Sequence, residues 1–562
     1  MLTPEQAIEN LIGQYRRVKI ERDVRMTRVE QMRKYTFPHK SFLTQVMTPG
    51  SNAWSAIFDN MGQVAARDFA ANLYTHTTPS DQTWFILTPP AAEPDLAGDR
   101  SYAQNLAAMT EHLHRAQAQT ESHWATEIHS AFEDLADGTC CVEVVKESQE
   151  KAAPFVVTTL GMNEYAFLSD AAGRPHTVFN EANLTAYEAA ERWGLEKLPT
   201  DLQESLKDAR DKAYVDTQAY LNVMRPNKEW DARSISSRRF RYENLWIDLK
   251  TKKVLQRGGL RRLRRIVARF NVGRGLPWGF GPTDAAYGVI RGLDKAMEIW
   301  LKYGAMKMNP PSIWPDDGAY WPQDAAPGSV IVGRMGATDK GVPSFLEIQG
   351  DHRIGEFLVN YLAAAISRAY LADIFQVLQP SRSGEQPKAV QVAAALQKSY
   401  DSLVPPLARM KQELISPLIL IQLELLTERE LGVDGWMYGG QTLPDFKYDL
   451  QMISPLFLAM QYAQLQRLGD AFTILSPWGE VDASIWDNWT LDEISHVVQE
   501  TLGIPNRLRR SASGLRDLRR ARAELVARQQ ALEQAKLAAE ATNKLSKGAE
   551  PNSPMGMAME AA

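Results

Sequence analysis

The chain has 562 residues, 44% of them hydrophobic and 23% charged, enough for several packed units with sizeable cores. A net charge of −5 sets it apart from proteins that grip nucleic acid by neutralising phosphates over a broad surface, so any such contact has to be local. The two cysteines, Cys140 and Cys141, are adjacent, which suits neither a disulfide nor a metal-ligand spacing.

In chain order, Thr3-Pro4-Glu5-Gln6 opens a helix that runs to about Tyr35. The hydroxyl can accept a backbone N–H three residues on, and Pro4 suits the first helical position. Its cations, Arg16, Arg17, Lys19, Arg22, Arg25, Arg28, Arg33 and Lys34, read as a solvated basic face or as a partner contact. A second helix is expected from about Ser55 to Tyr74, with Ile57, Met61, Val64, Phe69 and Leu73 at helical spacing. A strand at Thr83–Leu87 is stopped by Pro89-Pro90, and helices fill about Ala97 to Ala136 until Gly138. Strands are expected near Cys140–Val145, Phe155–Thr159, Tyr165–Leu168 and Thr177–Asn180, then Val215–Val223, Phe240–Asp248 and Leu263–Asn271. Short helices fall at Thr185–Trp193 and about Thr200–Ala213, and the short links favour antiparallel pairing.

From Gly279 to about Leu425 the pattern is helix, Pro-rich insert, helix, polar loop, helix. The first of these opens at Gly281-Pro282-Thr283 and stops at Asn309-Pro310-Pro311. Its apolar stripe is Ala286, Val289, Ile290, Leu293, Met297, Trp300 and Leu301. The second runs from about Asp351 to Phe375 with Ile354, Phe357, Leu358, Tyr361, Leu362, Ala365, Ile366, Ala369 and Tyr370 on one side. A polar loop, Gln379 to Pro387, leads into a third helical region in which Pro405-Pro406 predicts a break or kink and which Gly432 ends. Tyr438–Ser454 is loop-rich. Shorter helices follow at Pro455–Ser476, Ala483–Trp489 and Thr490–Gly503, then a last one from about Ser511 to Ala539. The residues from Thr542 to Ala562 read as a disordered tail. The greasiest run, Leu414 to Leu426, is interrupted by Pro417, Gln422 and Glu424 and falls short of the ~20 apolar residues of a membrane span. The first residues lack the apolar core of a signal peptide, so the chain reads as soluble and intracellular in origin.

Chemistry-bearing motifs are scarce. There is no Gly-Lys-Ser/Thr phosphate loop, no His-Glu-x-x-His pair and no Gly-x-Ser-x-Gly elbow, and no cofactor is implied. Gly273 to Gly279 sits between a strand and a helix, but Pro277 and the spacing break a dinucleotide fingerprint. Asp316-Asp317 lies in Pro-Asp-Asp-Gly, a turn signature. His112, His114, His123 and His129 read as surface or capping residues. Arg261, Arg262, Arg264, Arg265 and Arg269 read as a strand with one charged face or as ion pairs between subunits. Near the C-terminus Arg507, Arg509, Arg510, Arg516, Arg519, Arg520, Arg522 and Arg528 outnumber Asp517 and Glu524. That is a solvated helix or a contact with packed nucleic acid.

Five blocks, in order, resemble the head-to-tail connector, or portal protein, of short-tailed double-stranded DNA bacteriophages. They are Ala65 to Leu73 followed by Trp84-Phe85; Asp134-Leu135-Ala136-Asp137-Gly138-Thr139; and Asp170 to Arg174 with Leu184-Thr185-Ala186 and Arg192-Trp193-Gly194. The fourth is Gly279-Phe280-Gly281-Pro282, a helix, Asn309-Pro310-Pro311, Pro315-Asp316-Asp317-Gly318 and Pro327-Gly328. The fifth is Arg409 to Leu414 with Pro417-Leu418. The resemblance covers about residues 5 to 430. One departure is Gln391, which stands where such proteins commonly carry Glu after the polar loop.

The resemblance implies an α+β, mostly helical, portal-type fold assembled as a ring, typically of twelve subunits, and no enzymatic activity. By order it implies a wing at residues 1–278, stem helices at 279–308 and 351–375, and a clip at 309–350. A channel loop would follow at 376–387, then a long kinked helix returning to the wing at 388–450, a crown with a helical barrel at 451–540 and a disordered tail at 541–562. The loop residues Ser381, Arg382, Ser383, Gly384, Glu385, Gln386 and Lys388 would face DNA. Trp314, Asp316, Asp317 and Trp321 of the clip would meet terminase or tail, and Arg507, Arg509, Arg510, Arg516, Arg519 and Arg520 would form a basic crown. Implied partners are the double-stranded DNA in the channel, the terminase large subunit, the major capsid and scaffolding proteins and tail adaptor proteins, with no membrane. The implied location is the portal vertex of the virion, and the host cytoplasm during assembly. The alternative reading is a non-portal structural protein that binds nucleic acid with its Arg-rich C-terminal helix.

Overall fold

The computed structural model describes residues 4–44, 57–90, 93, 100–147, 153–207, 217–231, 239–315, 326–333, 344–345, 352–378, 404–430, 447–454 and 512–547, with short helical pieces between 456 and 498. Helix α1 (Pro4–Thr36) crosses two sheets. It is followed by α2 (Met61–Thr77), β1 (Phe85–Thr88), α3 (Arg100–Ala118) and α4 (Trp124–Ala136). Then come β2 (Thr139–Lys146), β3 (Phe155–Leu160), β4 (Tyr165–Ser169) and β5 (Pro175–Thr185). Helices α5 (Ala186–Trp193) and α6 (Thr200–Lys207) precede β6 (Thr217–Pro226), β7 (Tyr242–Asp248), β8 (Val254–Leu260) and β9 (Arg265–Arg269).

Strands β4 to β8 form an antiparallel meander in sequence order, and β2 sits between β3 and β9 in a second antiparallel sheet. The apolar positions of α1 explain its placement. Leu11, Ile12, Tyr15 and Val18 pack on Phe179, Leu221 and Ile247 of the meander, while Met26, Val29 and Met32 reach Cys141, Tyr165 and Trp278. The other face of the meander is covered by α5 and α6, where Trp193 packs on Tyr220 and Trp246. At ~1.5–3 kcal/mol for each large apolar side chain taken out of water, these contacts fix both layers. Cys140 and Cys141 lie on the strand expected there and are buried, and burial pushes both thiols up.

After β9, a two-residue ladder, β10 (Asn271–Val272) with β11 (Gly279–Phe280), closes the glycine-rich loop. Helix α7 (Pro282–Met308) leads out to a small sheet of β12 (Ser312–Pro315), β13 (Val330–Gly333) and β14 (Ser344–Phe345), and α8 (His352–Ala369) leads back. Helix α9 (Ala372–Leu378) follows. Residues 404–430 are then helical, and α10 denotes that helix. Strand β15 (Asp449–Met452) pairs with β1, and α11 (Ala512–Lys547) is the last element.

Six expectations need correction. The second helix begins at Met61, because the Asp294 carboxylate takes the backbone N–H groups of Phe58 (2.7 Å) and Asp59 (3.2 Å) in a non-helical approach. The helix expected through Phe375 breaks at Tyr370-Leu371, where Leu371 adopts a left-handed φ of 61° so that Ile374 and Phe375 turn into the core. That conformation costs a leucine ~1–2 kcal/mol, which aromatic packing of Tyr370 and Phe375 on Phe69 offsets. The tail expected to be disordered from residue 541 is helical to Lys547, since no breaker interrupts the chain before Gly548 and Lys544 and Lys547 suit a helix C-terminus. His114 is not a surface residue: its ring packs against Phe85 at 4.4 Å and Trp84 at 6.1 Å, and burial lowers its pKa to about 4. Arg22, Arg25 and Arg33 leave the basic face of α1 and turn inward, while Arg16, Arg17, Arg28 and Lys34 stay exposed. The arginine run is only partly on a charged face: Arg265 and Arg269 on β9 are buried and paired within the chain, while Arg261 and Arg262, which precede the strand, are exposed.

In α10 the described irregularity falls after the prolines. Pro405 and Pro406 sit in its first described turn, and the helix widens to a π-turn at Lys411–Ile415. The residues around the predicted break on its N-terminal side lie outside the described residues.

Candidate assembly site: a helical pair on a charged root

The second and fourth sequence blocks meet at one point. Gly138 has a φ of +107°, and its carbonyl lies so close to the Gly279 backbone that a Cβ on Gly279 would fall 2.1 Å from that oxygen. A Cβ on Gly281 would fall 1.9 Å from the Ala136 carbonyl oxygen. Only glycine permits this contact between the end of α4 and the start of α7. Gly279 N–H donates to Thr139 Oγ1 at 2.8 Å, and Gly281 N–H donates to Asp284 Oδ2 at 3.1 Å.

Charged side chains lock the joint. Arg25 forks onto the Asp284 carboxylate at 2.9 and 2.5 Å and also donates to the Asp137 carbonyl at 2.9 Å. Arg33 donates to Asp137 at 2.6 Å and to Asp134 at 2.8 Å. Burial opposes the charge on Arg33, yet the two carboxylates raise its pKa. Lys40 adds Ser130 Oγ at 2.7 Å and Asp134 at 3.2 Å. Arg269 ties the fifth block to the third. It donates to Glu413 at 2.6 and 3.1 Å, to the Gly173 carbonyl at 2.7 Å and to the Pro277 carbonyl at 3.1 Å. The π-turn is what presents Glu413 to β9. Buried charges are tolerated here because each is hydrogen-bonded and paired.

From this root the helical pair projects. Tyr370 Oη donates to Thr283 Oγ1 at 3.0 Å at the root, and further out Trp300 lies against Gly355, where a Cβ would come within 3.1 Å of the indole. The two helices are therefore antiparallel. Ala286, Ile290, Leu293 and Ile366 are buried in the main core. The last buried residue of α7 is Asp294, and among the described side chains of α8 the first buried one is Ile366. Beyond them several large apolar side chains face out: Phe357 (73% exposed), Tyr361 (61%) and Leu301 (52%) of the stripes, and Ile299 and Met308 beside them. Phe357 and Tyr361 stack on each other at 6.4 Å. Scattered apolar residues on a surface are normal, but a cluster of this kind marks a contact surface.

The predicted site residues fare unevenly. Ser381, Arg382, Ser383, Gly384, Glu385, Gln386 and Lys388 lie outside the described residues, as do Asp316, Asp317, Trp321, Arg507, Arg509 and Arg510. Trp314 falls on β12 and Arg516 on α11. Arg519 and Arg520 are exposed on α11, as are Arg522 and Arg528. The root residues Arg25, Arg33, Asp134, Asp137, Arg269, Asp284 and Glu413 were not singled out as a site, although several stand inside the blocks that carried the resemblance. Among the described residues no group of His, Cys, Asp and Glu could hold a metal, and no helix is long and apolar enough to cross a membrane.

The model of the family described as "Bacteriophage head to tail connecting protein" matches residues 9–509. The chain belongs to this family. The connector is 23% identical over 533 residues to a protein described as "Probable portal protein" of Bordetella phage BPP-1, covering 94% of the connector and 92% of that protein. A solved structure titled "Virion of native gene transfer agent (GTA) particle" overlaps 80% of the connector and 95% of its own chain, with 12% identity and a TM-score of 0.35, too low to bear on function. The head-to-tail connecting family is a structural, non-enzymatic one, and membership makes the connector a component of a phage particle.

Proposed function

We propose that the connector forms a ring of identical subunits, twelve by the family's habit, at one capsid vertex. Double-stranded DNA enters through its channel, driven by the terminase large subunit, and leaves by the same route when the tail is attached. The observation that carries this reading is the exposed apolar outer half of α7 and α8 on a rigid root. A lone chain leaves that surface in water, whereas a neighbouring copy in a closed ring covers it.

In this reading 1–278 is the wing, 279–308 and 351–375 the stem, 309–350 the clip and 376–387 the channel loop. Residues 388–450 return to the wing, and 451–540 form the crown. Major capsid and scaffolding proteins contact the outside of the ring, and tail adaptor proteins dock on the clip. Assembly takes place in the host cytoplasm. A conduit must release its cargo, because each phosphate gripped adds affinity and salt dependence, and the net charge of −5 suits passage rather than capture. The exposed arginines of α11 provide a local contact for packed DNA. Negative-stain microscopy of the purified chain tests the proposal. Rings with a central hole are expected, and particles that stay monomeric at high concentration, with scaffold present or absent, overturn it.

A further inference from the structure

We propose that the cleft between β9 and α10 docks a carboxylate-rich peptide segment with an apolar anchor, presented by another protein. The cleft has a volume of about 480 Å³, in the range of sites that enclose a few side chains. Its floor is apolar, with Leu263 and Ile266 on the strand side and Leu420 and Ile421 on the helix side. Around that floor stand Arg174, Arg241, Arg261, Arg262 and Arg265, against only Glu413 and Glu424.

The glutamates neutralise only part of this charge. Glu413 is held by Arg269 at 2.6 Å, and Glu424 lies 3.6 Å from Arg262. Arg174 is paired with Asp170 at 3.0 Å. Two exposed guanidinium groups have no carboxylate partner among the described residues: Arg261, and Arg241, which lies over the Trp230 ring at 5.3 Å. Arg265 is 3% exposed, and its terminal nitrogens reach Asn222 at 2.5 Å and Glu143 at 3.0 Å, while its Nε has no partner. Positive charge is thus concentrated in a concave site on a chain of net charge −5.

Charge alone admits two occupants, and the floor decides between them. A DNA duplex offers phosphates on a convex rod and keeps its apolar groups in the base stack and the major groove, where they cannot enter a greasy floor ringed by phosphate-binding arginines. An acidic segment with a leucine or an aromatic residue fills both parts: the anchor enters the floor and the carboxylates take the arginine forks.

The test is fluorescence anisotropy on the full chain, with a fluorescein-labelled peptide Asp-Glu-Leu-Asp-Trp-Leu-Glu-Asp. Its amide counterpart, with Asn and Gln in place of the acids, and a labelled short duplex DNA serve as the other arms. Saturable binding of the acidic peptide is expected, weakening as salt rises. The double variant Arg241→Glu/Arg261→Glu changes exposed residues only, and its thermal melt checks its fold. It should lose roughly tenfold or more in affinity, with each tenfold corresponding to ~1.4 kcal/mol. Leu420→Gln should weaken the peptide as well, because it makes the floor polar. Three results overturn the proposal: no saturable peptide binding, equal binding by the double variant, or duplex DNA as the only probe whose binding the variant loses.

Discussion

Replacing Glu413 by Gln removes one charge and almost no volume from the joint between β9 and the π-turn. In the native chain the Arg269 side chain is 4% exposed and that of Glu413 14%. Three donors converge on the carboxylate: Arg269 Nε at 3.1 Å, an Arg269 terminal nitrogen at 2.6 Å and the Arg269 backbone N–H at 3.1 Å. The amide keeps one acceptor oxygen and leaves the guanidinium charge buried without a counter-charge. Removing one partner of a buried pair costs ~3–5 kcal/mol, a large share of a domain stability of ~5–15 kcal/mol. Urea unfolding of the full chain, followed by tryptophan fluorescence, should show the midpoint falling accordingly. Adding Arg269→Met removes the stranded charge and should restore at least ~2 kcal/mol, because a buried ion pair replaced by apolar groups is often neutral. A loss below ~1 kcal/mol for Glu413→Gln, or a double variant as unstable as the two single losses added together, would refute the clamp.

Two further outcomes follow from the same structure. Gly281→Ala places a Cβ 1.9 Å from the Ala136 carbonyl oxygen, and backbone on both sides cannot give way. A loss of ~3 kcal/mol or more, read as a lower melting temperature and less soluble protein, is expected; an unchanged melt contradicts the close approach. His114 has an ordinary pKa near 6.5 when unfolded and about 4 when folded, because burial disfavours its charged form. The unfolded chain therefore binds more protons between those values, so this residue's contribution is intact above pH 6.5 and is lost as pH falls towards 4, by ~3 kcal/mol in all. His114→Phe should remove that part of the pH dependence in a series of denaturant titrations, and an unchanged slope contradicts the buried neutral ring.

Local pattern made most of the helices legible. The stripes of α2, α7 and α8 were visible in sequence, and so was the antiparallel character of the β-rich region, because periodicity and link length are local quantities. Strand β8 was not. Its Gln-Arg-Gly-Gly centre has poor strand propensity, and only pairing with β7 holds it extended. The break at Leu371 was hidden for a similar reason, since nothing local to Tyr370-Leu371 disfavours a helix and the turn is imposed by packing on Phe69. At the candidate site, sequence order pointed to the blocks but not to their convergence. Arg33 and Asp134 are 101 residues apart, and Arg269 and Glu413 are 144 apart; separations of that kind carry no periodic signal. The apolar stripes showed which residues want cover, whereas only the fold shows that cover ends at Asp294 and Ile366 and leaves Phe357 and Tyr361 in water.

The central claim is that a neighbouring copy covers that exposed half of the helical pair. Full burial of a large apolar side chain contributes ~1.5–3 kcal/mol, so covering what Phe357 and Tyr361 now expose contributes ~2–4 kcal/mol to each contact between neighbours. Sedimentation velocity of the Phe357→Asp/Tyr361→Asp variant beside the parent chain measures this directly. The account predicts rings for the parent, and for the variant a shift to monomers with an unchanged melting temperature, equivalent to association weakened by roughly thirtyfold or more. A variant that assembles into the same rings at the same concentration would contradict it.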